Sequence, residues 1–370
     1  MSTFALIADP HITVPNPDTG WTPPPITTEP TMYAESVELL EVATAEINAR
    51  SDIDFVLVAG DLTKDSEPYN HQRARELLTR FRAPVYCISG NHDQPRPATL
   101  RPPEFLDPTV VPVRADEIPR WYGDFGFKNT KHTYYSCDPA PDLHLVAICS
   151  SKPDEDRGYI PPETLAWLDE DLARQRDPQR HTVVMLHHSI IDHVPAESAN
   201  PMFSWFHVEN AAELKAILRQ HGVRITLTGH LHMQDVKQEA GLYNIVTASL
   251  ASYPHAYRIM TVGAGCAEIR SRRLQATRTQ PNLQASSYEH TKRVFVPIVT
   301  DVLMGQPFHY ARDRAEAAAR RLNDWWPAIS NGDEEFHYTA EQLGDPALAA
   351  YVNSFNDPGG VDNDLTIPLE

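Results

Sequence analysis

The sequence predicts an α/β protein: a four-layer αββα sandwich of two mixed sheets flanked by helices, with a mainly helical C-terminal extension. Three observations predict it. Short apolar runs rich in β-branched residues alternate with segments of helical period. Five of those runs end in clusters of Asp, His, Asn and Gly. Beyond about residue 270 such clusters stop and helical spacing takes over.

Residues 3–8 lead into Asp9-Pro10-His11, and residues 54–59 into Gly60-Asp61. Residues 84–89 lead into Gly90-Asn91-His92-Asp93, 182–186 into His187-His188, and 224–228 into Gly229-His230-Leu231-His232. Continuous apolar runs of this length predict strands buried on both faces. Between them, residues 33–50 place Val37, Leu40, Ala43 and Ile47 on one helical face, and 68–81 do so with Ala74, Leu77, Leu78 and Phe81. Residues 162–175 carry Leu165, Leu168 and Leu172 behind a leading proline. Residues 209–221 carry Leu214, Ile217 and Leu218 before Gly222, a stop signal. Strands alternating with helices imply α/β layering. Runs at 134–136, 143–150, 242–248, 256–262 and 266–270 follow with fewer helices. They are expected to form a second, mixed sheet packed on the first.

Two loops leave the clustered strand ends. Residues 10–30 hold seven prolines, and residues 94–130 are Pro-rich and carry Trp121, Tyr122, Phe125 and Phe127. Each is either a wall of a substrate pocket or a rigid surface loop, since long loops in compact domains tend to be functional or disordered. Residues 1–270 hold every cluster, and 271–370 read as an appended, mainly helical module. In that module Phe308, Ala311, Ala315, Ala318, Leu322 and Trp325 predict one amphipathic helix. The polar, Gly-rich stretch after Pro358 is expected to be loose. The module has three candidate roles: a cap over the site, a homo-oligomer interface, or a cover for apolar surface.

Fifty Asp and Glu against 32 Lys and Arg give a formal charge of −18. Affinity for long nucleic acid comes largely from Lys and Arg on phosphates, so no such partner is expected. Cys87, Cys137, Cys149 and Cys266 show no C-x-x-C spacing. Cys87 and Cys149 lie in apolar runs, which favours buried, reduced thiols and a cytoplasmic setting. No apolar stretch reaches the roughly 18 residues of a membrane span, so no membrane partner is expected. No signal peptide is visible, and cleavage near the start would remove the strand leading to Asp9. The mature chain is therefore expected to begin near Met1.

Each cluster alone is weak, because Gly-Asp is common turn chemistry and a lone histidine is most often superficial. Gly-His-x-His suits a metal clamp, since alternate residues of an extended chain point the same way. Five clusters in order at carboxyl ends of strands, where ligands gather in α/β sheets, are a far stronger signal. Asp9, His11, Asp61, Asn91, His230, His232 and one of the paired histidines offer two carboxylates, one amide carbonyl and four imidazoles. This thiolate-free set suits divalent ions, Mn or Fe first and Zn or Co next, and argues against calcium and copper(I). Seven ligands are too many for one tetrahedral site. They fit two metals sharing one oxygen bridge, roughly 3.5–4 Å apart.

Taken together, Asp9-x-His11, Gly60-Asp61, Gly90-Asn91-His92-Asp93, His188 and Gly229-His230-x-His232 resemble the calcineurin-like metallophosphoesterases over about residues 1–270. Within that superfamily the chain looks most like bacterial class III cyclic nucleotide phosphodiesterases and the glycerophosphodiesterases near them. The resemblance implies that residues 1–270 are the catalytic domain. It implies that Asp9, His11 and His232 bind one metal, that Asn91, His188 and His230 bind the second, and that Asp61 bridges them. His188 is preferred to His187 because related members carry a single histidine at this strand end and the position before Ser189 aligns with it. His92 is implied to be catalytic rather than a ligand, stabilising or protonating the leaving alkoxide. A metal-bridging hydroxide would be the nucleophile. Asp93 is implied to support the site by orienting a histidine or a ligand loop.

The sequence departs from some branches of the superfamily. The stretch Gly60-Asp61-Leu62-Thr63-Lys64-Asp65-Ser66 lacks the Arg of protein phosphatases, which argues against phosphoprotein substrates. His92 stands where lipid-A-pathway hydrolases carry Arg. Ser189-Ile190 replaces the two prolines that often follow paired histidines in cyclic nucleotide enzymes. The expected function is two-metal hydrolysis of small phosphodiesters, with cyclic nucleotides among the candidates. Glycerophosphodiester or broad phosphomonoester hydrolysis is the alternative, and a DNA-end nuclease is disfavoured by the charge. A metal-free scaffold is disfavoured because every ligand position is intact.

Overall fold

The apolar runs become strands β1 (Ser2–Ile7), β2 (Phe55–Ala59), β3 (Val85–Ile88), β4 (Tyr134–Ala140), β5 (Leu143–Ile148) and β6 (His181–Met185), then β7 (Ile225–Thr228), β8 (Asp235–Glu239), β9 (Leu242–Val246), β10 (Ala256–Val262), β11 (Cys266–Arg273) and β12 (Asp364–Pro368). The computed structural model describes residues 1–369 except 27, 129, 176, 178, 179, 201, 202 and 264. Thr27 and Asn129 of the two Pro-rich loops, and Glu370 at the end of the C-terminal module, lie outside the described residues.

Helices α1 (Ser36–Asn48), α2 (Pro68–Leu78), α3 (Ile118–Trp121), α4 (Pro162–Arg174) and α5 (Ala211–Gln220) are interleaved with the strands. The C-terminal region supplies α6 (Leu283–Met304), α7 (Arg312–Arg321), α8 (Trp325–Asn331), α9 (Ala340–Leu343) and α10 (Pro346–Asn353). One six-stranded sheet has the order β12-β11-β10-β1-β2-β3, the other β4-β5-β6-β7-β9-β8. Both are mixed: β1, β2 and β3 run parallel while β10 pairs antiparallel with β1. β5, β6, β7 and β9 are parallel between antiparallel edge strands β4 and β8.

The period-2 alternation of strands divides the layers. Leu145, Ala147, Val183 and Met185 join Phe4, Leu6 and Val58 in the core between the sheets. Their alternates Val146, Ile148, Val184 and Leu186 pack outward on Leu165, Leu168 and Leu172 of α4 and Leu214 and Leu218 of α5. Leu39, Leu40 and Ala43 of α1 and Leu77 and Leu78 of α2 belong to the same core as the first sheet. The mixed α/β architecture with two sheets and flanking helices is therefore the one expected.

The assignment of strands to sheets differs from expectation. β6 and β7 were grouped with β1–β3 because all five end in ligand clusters, but they lie in the second sheet. Conversely, β10 and β11 extend the first sheet beside β1. Apolar content reports burial on both faces, not the neighbour a strand pairs with. The consequence is functional: the clusters come from the ends of two sheets that meet.

Two C-terminal expectations also change. The predicted single helix from Phe308 to Trp325 is α7 followed, after a turn, by α8. The longest helix, α6, has no clear apolar stripe: Ser287, Thr291 and Thr300 are among its buried residues, and Pro297 lies inside it. The tail beyond Pro358 is not loose. β12 pairs antiparallel with β11 and covers an edge that would otherwise be unpaired. The chain thus re-enters the first sheet after the helices. Among the described residues no helix is long and apolar enough to cross a membrane.

Candidate metal centre

The five clusters sit at the carboxyl ends of β1, β2, β3, β6 and β7. Five candidate ligands leave their strands in the left-handed backbone region: Asp9 (φ 49°), His11 (45°), Asp61 (47°), His230 (68°) and His232 (54°). Such residues cost about 1–3 kcal/mol each and persist where surrounding structure over-determines them. Asp and His tolerate the region better than most side chains. Backbone bonds hold these turns together. His11 N donates to Asp61 O at 2.9 Å, and Gly229 N to His187 O at 3.1 Å.

Two donor groups result. One atom each from Asp9, His11, Asp61 and His232 lies within 4.8 Å of the others. Asp61, His187 and His230 form a second such group. In the first, Nε2 of His11 and Nε2 of His232 face each other at 3.3 Å, with Asp9 Oδ1 3.7 Å from the latter. In the second, Nε2 of His187 lies 3.3 Å from Asp61 Oδ2 and 3.0 Å from Asn91 Oδ1. Among the described residues Asp61 alone belongs to both groups. Its other oxygen, Oδ1, accepts the His92 backbone N–H at 2.8 Å.

Hydrogen bonds fix which atoms face the groups. His187 Nδ1 meets the Ala59 carbonyl at 2.8 Å, and a carbonyl only accepts, so Nδ1 carries the proton. Nε2 faces Asn91 Oδ1 and the Asp61 carboxylate, both acceptors, and donates to them when the ring is protonated. Asn91 Nδ2 donates to Asp156 Oδ1 at 2.9 Å, which aims its oxygen at His187. His230 donates from Nε2 to the Trp205 carbonyl at 3.2 Å, leaving Nδ1 as its acceptor. Asn91 Oδ1, the Asp61 carboxylate and the ring nitrogens of His187 and His230 thus converge, an arrangement that a cation, or a proton on His187, satisfies.

Of the paired histidines, the structure brings His187 rather than the expected His188 into a donor group. His188 is buried, but its Nε2 donates to Asp156 O at 2.9 Å and its Nδ1 accepts from Ser150 Oγ at 2.8 Å. Both nitrogens are consumed, and His188 belongs to neither donor group. His187 takes its place. Adjacent residues at a strand end point to opposite sides, so only one of the pair can face the seam between the sheets. Which one does depends on sheet placement, which the local motif does not encode.

Asp93 is also not a cavity residue. Its carboxylate accepts from Gly90 N, Leu62 N, Thr63 N and Thr63 Oγ1 at 2.8–2.9 Å. Four donors tie it to two ligand loops, so it is a latch rather than a group that meets substrate. Burial, then the Asp61 charge, raises its carboxyl to about 7. Gly60 and Gly90 make room for this packing. A Cβ on Gly90 would stand 2.7 Å from His187 Cε1, and one on Gly60, which has φ +92°, would strike the same imidazole.

Burial holds His11 and His230 well below the ordinary histidine range, so their lone pairs are available at neutral pH. Burial also opposes charge on His187, but Asp61 and then Asp9 outweigh it and raise the ring to about 9. Asp61 is held well below the ordinary carboxylate range: burial raises it, and His187 and His92 prevail. A dication in place of the His187 proton satisfies the same electrostatics.

His92 stands over the first group, its ring 4.8 Å from that of His11 and perpendicular to it. Its Nδ1 donates to the Lys64 carbonyl and lies 3.4 Å from Asp65 Oδ1. Asp65 is in turn held by Lys64 and by Arg101 Nε at 3.0 Å.

The groups open into a cavity of about 480 Å³. Thr28, Glu29 and Pro30 of the first Pro-rich loop, and Arg96, Leu100 and Arg101 of the second, line it. The aromatic cluster Trp121, Tyr122, Phe125 and Phe127 does not; Tyr122, Phe125 and Phe127 are buried in the main core. Sequence reasoning missed Asp156, Trp205 and Phe206; the C-terminal helices that complete the wall belong to the module for which a cap over the site was one of the expected roles. The pattern Phe203-Ser204-Trp205-Phe206 was the one available signal, an aromatic cluster outside any predicted element.

Comparison with known proteins agrees with this geometry. The family model for calcineurin-like phosphoesterases matches residues 2–234. A 3',5'-cyclic adenosine monophosphate phosphodiesterase of Haemophilus influenzae is 29% identical over 231 residues, 59% of this chain and 72% of its own. A glycerophosphodiester phosphodiesterase of Enterobacter lignolyticus is 27% identical over 180 residues, 48% of this chain and 56% of its own. Relatives of this kind are matched over 56% to 72% of their own length. A dimetal phosphatase from Danio rerio shares the fold with a TM-score of 0.54 and 14% identity, over 74% of this chain and 96% of its own.

Proposed function

The chain belongs to the calcineurin-like phosphoesterase family, and from that premise we propose that it hydrolyses small phosphodiesters at a two-metal centre. The proposed ligands are Asp9, His11 and His232 for one ion and Asn91, His187 and His230 for the other, with Asp61 shared. The observation that carries the reading is that Asp61 is common to two donor groups of mixed carboxylate and imidazole chemistry. Mn or Fe are the first candidate ions, with Zn or Co next. When bound, two such ions supply an activated water and charge stabilisation for the phosphoryl oxygens.

The chain's own residues do the rest. Asn91 is oriented by Asp156, and His187 by the Ala59 carbonyl, so the donors are preorganised. Asp65 Oδ1 lies 3.4 Å from Nδ1 of His92 and helps to fix the orientation of its ring. With Nδ1 engaged, Nε2 is the atom of His92 left to protonate the departing oxygen. His92 lines the cavity beside His11 and His232, where a phosphoryl group would sit.

Relatives named for cyclic nucleotide and glycerophosphodiester hydrolysis both act on small diesters. The −18 charge opposes a long polyanion. The test is a substrate panel with Mn: cyclic nucleotides, glycerophosphodiesters, bis-p-nitrophenyl phosphate, p-nitrophenyl phosphate and a labelled oligonucleotide. Hydrolysis of small diesters ahead of the oligonucleotide is expected. Preferred trimming of the oligonucleotide, or no turnover of any diester, contradicts the proposal.

A further inference from the structure

We infer that the substrate carries an extended apolar group, an alkyl or similar hydrocarbon arm on the phosphoester, which seats between the C-terminal helices. The inference rests on the phosphoesterase reading above and specifies its substrate class. It comes from the continuity of one cavity. The cavity that holds His11, Asp61, Asn91 and His232 is also lined by Phe295, Val299 and Val302 of α6, Trp326 of α8, and Leu348 and Val352 of α10. All of these but Val302 pack in the helical core rather than with the donors.

The apolar wall begins at the donor group itself. Trp205 and Phe206 set their rings edge-on to His230 at 5.3 and 5.4 Å. Phe203 of the same loop packs on Phe355 at 5.7 Å, and Phe355 on Trp325 at 4.8 Å. The helices of α6–α10 thus share one core with the loop that touches His230.

The cations along the cavity are already committed. Arg96 pairs with Asp156 at 2.7 Å, and Arg101 with Asp65 at 3.0 Å and with Glu29. They leave little charge for a second anionic group. A nucleobase, ribose or glycerol pushed among these helical side chains would lose water without gaining partners, a cost an alkyl arm escapes. Pockets of this size bind through apolar contact oriented by a few polar groups, here those of the donor groups. In the reaction a water oxygen joins phosphorus, the ester P–O bond breaks, and the leaving oxygen takes up a proton.

The test uses the full chain loaded with Mn and a series of alkyl p-nitrophenyl phosphodiesters from methyl to dodecyl, below micelle-forming concentrations. kcat/KM is expected to rise with chain length, by up to about fourfold per buried methylene, and then level off. Val302→Trp, checked for folding by circular dichroism, is expected to move the plateau to shorter chains, and Val302→Ala is not. Calorimetry is expected to show decylphosphonate binding at least tenfold more tightly than methylphosphonate. A flat chain-length profile with the methyl ester hydrolysed overturns this inference and leaves the phosphoesterase reading standing. If no ester is hydrolysed, that reading fails, and equal binding of the two phosphonates then overturns the apolar seat as well. A plateau unmoved in folded Val302→Trp also overturns it.

Discussion

Oδ2 of Asp61 lies 3.3 Å from Nε2 of His187. The same oxygen lies 3.7 Å from Nε2 of His11. His11 follows β1 of the first sheet and His187 follows β6 of the second. One carboxylate oxygen therefore faces histidines from both halves of the sandwich. A bridge between two ions needs this position, and a single mononuclear site does not.

The two neighbouring histidines separate by experiment. His187→Ala removes a donor and is expected to lower metal content by about one equivalent per chain, with loss of activity. His188→Ala removes bonds to Ser150 and Asp156 but no donor, and is expected to cost about 1–3 kcal/mol of stability with metal retained. Elemental analysis and thermal melts check both. The reverse pattern would restore His188 as the ligand.

His92 is a proton donor and not a ligand on this account. His92→Ala is expected to keep its metals and lose about 10²–10⁴-fold in kcat on poor leaving groups. The loss is expected to shrink on p-nitrophenyl esters, whose leaving oxygen needs little protonation. Equal losses on both would contradict the proton-donor role.

A pH effect is expected away from the site. Burial, then Asp235, raises the Asp362 carboxyl to about 7, and burial with Asp235 and Asp362 raises Glu334 to about 8. Their unfolded values are near 3.8 and 4.5, so the folded chain holds more protons between those values and about 7–8. Their contribution to stability is greatest below about pH 4 and is lost as pH rises through 7–8. Melts between about pH 5 and pH 8 are expected to show Tm falling in the parent and falling less in Asp362→Asn. Parallel slopes would show that Asp362 is not the source.

Much of this was legible in the sequence because the local cause was local. Gly60, Gly90 and the Asp and His residues at strand ends are demanded by tight left-handed turns and close packing, and they mark the strand ends they terminate. What escaped was set at a distance. His187 outranks His188 because β6 lies in the second sheet, which its apolar run cannot reveal. Asp93 looks like a further acid but spends its oxygens on backbone donors. α6 hides behind buried Ser287, Thr291 and Thr300, so the apolar wall of the cavity had no periodic signature.

The central claim is that Asp61 joins two metals in one phosphoesterase centre. The most direct test is the metal content of Asp61→Asn against the parent after reconstitution with Mn, with hydrolysis of bis-p-nitrophenyl phosphate measured on the same samples. The account predicts about two equivalents and turnover in the parent. In the variant it predicts weakened occupancy of both sites and a loss of activity beyond the roughly 10–100-fold seen when only a supporting residue is removed. Two tightly held equivalents and near-parent turnover in Asp61→Asn would contradict it.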